Sequence, residues 1–269
     1  GFLMGAVILV SREDPVALNV LELLVENYGF GERLVGHGTA YGRDDIEAIT
    51  ISGSPLYSDD VVAGLEAELV IVPSRHKSVT GKKSLLAHAV GNWDEDVMMG
   101  GRPRTLSATS AQALFRAVNS LMESIDSLGL QGWEVGMEVT HHGPYSYRPI
   151  VFVELGSTSA EWGDRRMAEI VAEACLRAWD DRRADEVAVG FGGGHYARRF
   201  VQLLCEGVAF GHIAPRYRLP LQEEMVAQAF SKTIEGPSTA YIEWDGMRSE
   251  HREGLIKAIR ALGKDFTRC

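Results

Sequence analysis

The sequence predicts an α/β protein with a three-layer α/β/α architecture around a mixed, largely parallel sheet. Short apolar runs, which are typical of buried strands, alternate with amphipathic helical stretches along most of the chain, and this alternation is the pattern of β-α-β units. The 269 residues are 45% hydrophobic and 24% charged, so they can bury a large core. No linker divides them, and we expect one domain over residues 1–269, with residues 1–3 an extraneous remnant.

The N-terminal part of the chain predicts a β-α-β unit. Met4–Val10 is a continuous apolar run, and Asp14 and Pro15 then provide an N-cap and a first-turn proline for a helix that ends at Gly29. The apolar face of this helix is expected to comprise Leu18, Leu21, Leu24 and Val25. The next two strands are expected at Ile46–Ile51 and Leu69–Val72.

A long polar segment and a long helix follow. Pro73–Pro103 is rich in Gly, Lys, Ser, His and Arg and has little apolar periodicity, so we expect a functional loop there. The helix after it is capped by Thr109 or Ser110 and ends at Gly129. Its apolar stripe consists of Ala111, Leu114, Phe115, Val118, Leu121, Met122, Ile125 and Leu128.

The second half of the chain continues the alternation. Apolar and polar side chains alternate from Trp133 to Thr140, which predicts a half-buried strand. Thr158 and Glu161 form a capping box for a helix that extends to about Trp179. Further strands are expected at Ile150–Leu155, Val187–Phe191, Val208–Ala214 and Thr239–Trp244, and further helices at Ala197–Glu206, Leu221–Phe230 and Ser249–Leu262.

Composition excludes several classes of protein. Cys175, Cys205 and Cys269 have no CxxC spacing, which argues against a disulfide framework and a thiolate zinc site. The formal net charge of -10 repels polyanions, so a nucleic acid partner requires a local basic patch. No apolar run approaches the roughly 20 residues of a membrane span, and the N-terminus lacks the basic and long apolar regions of a leader. We expect a cytoplasmic monomer with no membrane or protein partner.

The first cluster of candidate functional residues lies in the long polar segment. Arg75, His76 and Lys77 follow one another, and His88 lies further along the same segment. The flanking cations favour the neutral imidazole of His76, which suits a metal ligand or a base. Other basic candidates are Lys82, Lys83, Arg102, Arg104, Arg198, Arg199, Arg216 and Arg218. Taken singly, each is more typical of solvated surface charge.

The second cluster follows the alternating strand and includes His141 and His142. Neighbouring residues of a strand point to opposite faces, so only one of the two histidines should face a site, unless Gly143 and the proline after it bend the chain. Glu138 and His142 fall on the same face. Glu154 interrupts an apolar strand, and a buried carboxylate is costly unless it is paired or coordinated. The alternative for Glu154 is an exposed edge strand.

The third cluster is the sequence GFGGGHYARRF. Gly192, Gly193 and Gly194 directly follow an apolar strand and precede His195, so their backbone N–H groups could hold a phosphate, a carboxylate or an oxyanion. The motif lacks the GK[ST] of a P-loop and the spacing of a dinucleotide fingerprint, and the chain has no GxSxG. The alternative is a flexible surface turn with an incidental histidine.

Histidine and carboxylate without cysteine are the ligand types of a catalytic zinc site, in which an open position carries water with a lowered pKa. No HExxH motif is present, so residue type alone suggests the ligands. The candidate metal ligands are His88, His141, His142, Glu154 and His195.

Taken together, three long motifs resemble the archaeal and plant type of D-aminoacyl-tRNA deacylase. They are SRHKSVTGKKSLLAHAVGNW, VTHHGPY followed by VFVELGSTSAEW, and VGFGGGHYARRF, and the resemblance covers nearly the whole chain. It implies a hydrolase that cleaves the ester between a D-amino acid and the 3′-terminal ribose of tRNA and so recycles mischarged tRNA. It also implies zinc dependence and a fold similar to phosphorylases and peptidyl-tRNA hydrolases.

Motifs and resemblance together predict a mechanism. We expect His88, His142, Glu154 and His195 to converge, some binding Zn²⁺ and one acting as base, while N–H groups of Gly193 and Gly194 stabilise an oxyanion. The residues predicted to contact tRNA are Arg75, His76, Lys77, Lys82, Lys83, Arg198 and Arg199. Two alternatives stay open: a nucleoside phosphorylase that uses the glycines for phosphate, and a module that binds an RNA end without catalysis.

Overall fold

The computed structural model describes residues 4–35 and 38–269. It has the predicted α/β class, with mixed, mostly parallel sheets flanked by helices. The strands are β1 (Met4–Ser11), β2 (Gly31–Val35), β3 (Gly38–Arg43), β4 (Ile46–Ile51), β5 (Ala67–Lys77), β6 (Ser84–His88), β7 (Gly91–Asn92), β8 (Thr105–Leu106), β9 (Glu134–Met137), β10 (Ile150–Ser157), β11 (Glu186–Phe191), β12 (Val208–Ala214), β13 (Thr239–Ile242) and β14 (Asp265–Arg268). The α-helices are α1 (Pro15–Asn27), α2 (Asp59–Ala63), α3 (Ala111–Ser127), α4 (Ser159–Trp162), α5 (Arg165–Arg177), α6 (Arg198–Cys205), α7 (Glu223–Ser231) and α8 (Ser249–Ala261).

The strands divide between two main sheets, which the sequence did not predict. The larger sheet has the order β2-β3-β4-β1-β5-β10-β6-β9, and its centre from β4 to β10 is parallel. The smaller sheet, β12-β11-β13-β14, is parallel throughout. β7 and β8 form a short antiparallel ribbon.

Alternate residues of the central strands bury two different faces, as the pleat of a strand requires. Ala6 and Ile8 of β1 pack with α1, α3 and α5, whereas Val7 and Leu9 pack in a second cluster on the opposite face. The first cluster continues into the smaller sheet through Phe210 of β12. A third cluster, on the other face of the smaller sheet, includes α7 and α8. Within residues 4–35 and 38–269, no helix is long and apolar enough to span a membrane.

The prediction that Pro73–Pro103 is a loop is wrong for part of its length. β5 continues to Lys77, and β6, at Ser84–His88, is a buried strand between β10 and β9. Both stretches carry polar residues that a core strand rarely has, because these residues face the candidate site. The sequence signal for a strand was therefore masked by the residues of the site.

Three further element predictions need correction. Two residues of the expected apolar face of α1, Leu18 and Val25, are 36% and 38% exposed, because the largely apolar helix turns a neighbouring face inward. The helix predicted from Thr158 breaks into α4 and α5, since Asp164 caps a new helix. The β2–β3 hairpin and β14 were not predicted. Residues 1–3 lie outside the described residues.

Candidate active site

The candidate site lies at the C-terminal ends of β5 and β10. His76 near the end of β5 is beside Gly156 of β10, and Glu154 of β10 pairs in register with Ser74. A Cβ at Gly156 would lie 2.8 Å from the His76 Cβ, so only glycine leaves room for this histidine. His88 ends β6, which runs antiparallel to β10. The main sheet thus brings two predicted metal ligands, His88 and Glu154, together with His76.

The segment after β9 contributes Glu138, His141 and His142. Its backbone connects the two sheets, because the Val139 N–H donates to the His195 carbonyl at 2.9 Å. His142 has a positive φ of 47°, so the chain turns there and both histidines face the site. The sequence predicted that only one of the two histidines would face the site unless the chain bends near them, and the structure has such a bend.

The smaller sheet contributes His195, which follows β11 and the glycine run. Gly192 and Gly193 have φ values of 110° and 74°, which L-residues rarely adopt. The Gly192 N–H donates to the Ala214 carbonyl at 2.8 Å, and the Gly193 carbonyl accepts from the Arg216 N–H at 3.1 Å. The run therefore fixes the position of His195 through backbone bonds within the smaller sheet.

The carboxylates Glu138 and Glu154 lie at the centre of the His–Glu cluster. This cluster consists of the two carboxylates and of His76, His88, His141, His142 and His195. An Oε2 atom of each lies near His76 Nδ1, at 3.6 Å for Glu138 and 3.1 Å for Glu154. The nearest contact of Glu138 is His195 Nε2, at 2.9 Å from Oε1. Ser74 Oγ donates to Glu154 Oε1 at 2.7 Å. Glu138 is fully buried, and neither of its oxygens has a hydrogen bond of good geometry among the described residues.

Three histidines share one arrangement of their ring nitrogens. The Nδ1 atoms of His88, His141 and His142 lie 2.9, 2.8 and 2.6 Å from backbone carbonyl oxygens. Each neutral ring therefore donates from Nδ1 and keeps a free lone pair on Nε2, as in metal-binding histidines. Among the described residues, His88 Nε2 is buried without a hydrogen-bond partner.

Groups of three side chains bring ligand atoms within 4.8 Å of one another, which is close enough to share a cation. Glu138 and His141 each belong to two of these groups, so the groups overlap in space. The groups are His88, His141 and His142; Glu138, His141 and His195; and His76, Glu138 and Glu154.

Burial and neighbouring charges shift the pKa values of these histidines in opposite directions. Burial lowers the pKa of His141 well below its usual range and that of His142 to about 3, so both rings are neutral at pH 7. Burial also opposes protonation of His76 and His88, but the carboxylates beside them raise both pKa values. Burial alone would raise the pKa of Glu154, yet the hydrogen bond with His76 and the imidazole of His88 beside it hold this pKa well below its usual range. The cluster therefore contains an ionised carboxylate and two neutral imidazoles.

A cavity of about 360 Å³ opens onto the cluster. His141, His142, Glu154 and His195 form part of its lining. Leu56, Met99 and Phe152 contribute apolar surface, while Asp14, Arg75 and Lys77 contribute charged or polar surface. An apolar wall opposite a few convergent polar groups is typical of a small-molecule site.

The residues predicted to contact tRNA have different positions. His76 is buried within the cluster instead of lying on a surface loop. Lys82 and Lys83 are exposed on the turn before β6, and Arg198 and Arg199 begin α6. Arg198 pairs with Glu134 at 2.9 Å, and Arg199 bonds Gln202 at 3.0 Å.

The predicted oxyanion donors Gly193 and Gly194 are not among the described residues that line the cavity. Their proposed role remains a prediction. His212 of β12 is fully buried outside the cluster, where it contacts Thr140 and the Ser107 carbonyl.

Sequence reasoning left Glu138 and Tyr217 out of the site. Glu138 was placed on the same face as His142 but was given no catalytic or metal-binding role. The Tyr217 hydroxyl lies 3.0 Å from His195 Nδ1. No local pattern predicted it, because the contact joins two loops of the smaller sheet.

Comparisons with known proteins found one family, several relatives and a similar solved structure. The model of the family described as "D-aminoacyl-tRNA deacylase" matches residues 63–267. A protein of that name from Thermococcus kodakarensis is 33% identical, over 97% of this chain and 99% of its own length. One from Thermococcus onnurineus is 34% identical with the same coverage. The crystal structure of a conserved protein of unknown function is 30% identical, with a TM-score of 0.89 over 99% of this chain and 95% of its own.

Proposed function

The chain belongs to the D-aminoacyl-tRNA deacylase family, and from this we propose that it hydrolyses the ester between a D-amino acid and the 3′-terminal ribose of tRNA at the His–Glu cluster. The products are a free D-amino acid and a tRNA that can be charged again. The observation that carries the assignment is the convergence of Glu154 and of histidines from both sheets on one cavity, with Glu138 in contact with His195 behind its lining.

Residues of the cluster fit a divalent cation, and we propose Zn²⁺. His88, His141 and His142 would hold it, because their Nδ1 atoms are engaged by carbonyls and the Nε2 lone pairs are free. The unpartnered, buried Nε2 of His88 is costly without a ligand or a proton. When bound, Zn²⁺ supplies Lewis acidity that polarises an ester carbonyl and lowers the pKa of water.

Glu138 and His195 are suited to handle the proton released when water attacks the ester. Glu138 is buried beside the cavity with unpaired oxygens, and His195 Nε2 lies 2.9 Å from its Oε1. The His195 side chain is 37% exposed, and its Nδ1 contacts the Tyr217 hydroxyl. A proton accepted at Glu138 can thus pass to His195 Nε2, and from the imidazole to solvent at the cavity mouth.

Arg75 and Lys77 line the cavity and are positioned to contact the aminoacylated end of tRNA. We propose that Lys82, Lys83, Arg198 and Arg199 contact more distant phosphates. A cytoplasmic location and a monomeric state also remain proposals.

The assignment is tested by measuring hydrolysis of D-tyrosyl-tRNA and L-tyrosyl-tRNA by the purified protein, with and without chelator, together with its metal content. We expect hydrolysis of the D-ester alone and loss of activity in chelator. A protein that leaves the D-ester intact would contradict the proposed function. Full activity in chelator, with no bound metal, would contradict the zinc assignment only.

The proton-handling role is tested by Glu138→Gln, which keeps the shape of the side chain and removes its charge. Loss of a general base lowers kcat by about 100-fold or more. Glu134→Gln is the matched control, because Glu134 is on the same strand segment but pairs with Arg198 outside the cavity. Equal activity of the two variants would refute the assignment.

A further inference from the structure

A second cavity, separate from the cluster, lies between β12 and the start of α8. Its volume is about 370 Å³, within the range of small-molecule sites. Arg216, Arg248 and His251 contribute to its lining, and no acidic residue of the described chain does. Glu250, outside this lining, lies 3.8 Å from both Arg248 Nη1 and His251 Nε2, so Arg216 is the cation of the lining that has no acidic partner within the described residues.

Arg216 differs from several of the other basic candidates of the sequence. Within the described residues, its guanidinium forms no ion pair and no side-chain hydrogen bond, whereas Arg198 and Arg218 pair with acids and Arg104 pairs with Glu95. Gly246 leaves space for it, since a Cβ there would lie 2.3 Å from Arg216 Nη1. The chain therefore keeps this cation in an open position facing the cavity.

The second cavity adjoins the reaction centre through the backbone. Arg216 directly precedes Tyr217, whose hydroxyl contacts His195. The Arg216 N–H donates to the Gly193 carbonyl, so the position of this segment is coupled to that of the glycine run before His195. The backbone therefore joins the segment that carries Arg216 to the segment that carries His195.

We infer that the cavity around Arg216, Arg248 and His251 binds backbone phosphates of the single-stranded tRNA end, upstream of the nucleotide that carries the ester. This inference rests on the proposed function and adds a path for the tRNA. Arginine suits it because its planar guanidinium can form two parallel hydrogen bonds to phosphate. Salt screens the attraction between each such cation and a phosphate.

The test is equilibrium binding of uncharged tRNA at several salt concentrations by wild type, Arg216→Gln and Arg248→Gln. Each phosphate contact contributes about 0.7 to the slope of log K against log salt for a single strand. We expect each variant to bind more weakly and to lose about that amount of slope. Arg260→Gln is the matched control, because Arg260 lies near the far end of α8 and stacks on Phe266.

A second measurement separates phosphate binding from damage to the reaction centre. D-tyrosyl-adenosine ester carries the reactive end without upstream phosphates, so Arg248→Gln should hydrolyse it at the wild-type rate while its KM for D-tyrosyl-tRNA rises several-fold. Wild-type tRNA affinity and slope in both cavity variants would overturn the inference, as would an equal loss in Arg260→Gln. Binding of uncharged tRNA needs no ester hydrolysis, so these outcomes are distinct from failure of the proposed function.

Discussion

Tyr217→Phe removes one hydroxyl from the proposed proton path and nothing else. That hydroxyl lies 3.0 Å from His195 Nδ1, and His195 Nε2 lies 2.9 Å from Glu138. Burial raises the pKa of Tyr217, so the phenol is neutral at pH 7 and available as a hydrogen-bond partner. It therefore holds the outer nitrogen of the ring while the inner nitrogen faces the carboxylate.

The expected effect follows from the loss of one neutral hydrogen bond, about 0.5 to 1.5 kcal/mol. If this energy is expressed in the transition state, kcat falls about 2- to 13-fold. KM for D-tyrosyl-tRNA should stay within about twofold, because the hydroxyl orients a proton carrier and does not bind the tRNA. The assay is steady-state hydrolysis of D-tyrosyl-tRNA over a range of concentrations.

Tyr196→Phe is the matched control for this prediction. The Tyr196 ring packs edge-on against His195, with centroids 5.5 Å apart, but its hydroxyl contacts Ser78 at 3.4 Å instead of an imidazole nitrogen. In the Glu138→Gln background, Tyr217→Phe should add little further loss, because the path is already interrupted. Wild-type kcat in Tyr217→Phe, or an equal loss in Tyr196→Phe, would refute the reasoning.

Three further predictions concern stability, measured as the free energy of unfolding in urea. Gly192→Ala should cost about 1 to 3 kcal/mol, because φ is 110° and the new Cβ would lie 2.8 Å from the Glu243 carbonyl oxygen; Gly194→Ala, which meets no atom within 4 Å, should cost less than about 0.5 kcal/mol. Glu235→Ala should cost about 1 to 2 kcal/mol, since its carboxylate accepts two N–H groups at the start of α3, and an unchanged value would show that this cap contributes nothing. Burial lowers the pKa of His212 from 6.5 to about 3, so the unfolded chain binds more protons than the folded chain between those pH values. The free energy of unfolding therefore falls as the pH falls, by at most about 1.4 kcal/mol per pH unit. His212→Gln should show a shallower pH dependence, and the same slope as wild type would count against this origin.

Much of the fold could be predicted because its signals are local. The apolar run of β1, the cap of α1 and the strand at Val208–Ala214 were all predicted within about a residue. The order of strands within the sheets and their division into two sheets were not predictable from such signals. They depend on pairing between segments that are far apart in the chain, which no periodicity encodes.

Some residues of the candidate site could be predicted from local signals, and others could not. Residue types and motifs identified His88, His142, Glu154 and His195, and the structure brings all four to one cluster. Glu138 was harder to assign, because a carboxylate on an alternating strand is equally typical of a solvated face. Its burial results from the packing of the smaller sheet against the end of β9.

The α/β class, the family and the residue types of the candidate site follow from the sequence, because apolar periodicity, capping residues and ordered motifs are properties of short stretches of chain. Tertiary structure alone decided which nitrogens and oxygens meet. Whether His141 and His142 both face the site depends on a positive φ at His142. Whether Tyr217 reaches His195 depends on how two loops of one sheet approach each other. Both are distances between segments that the order of residues does not fix.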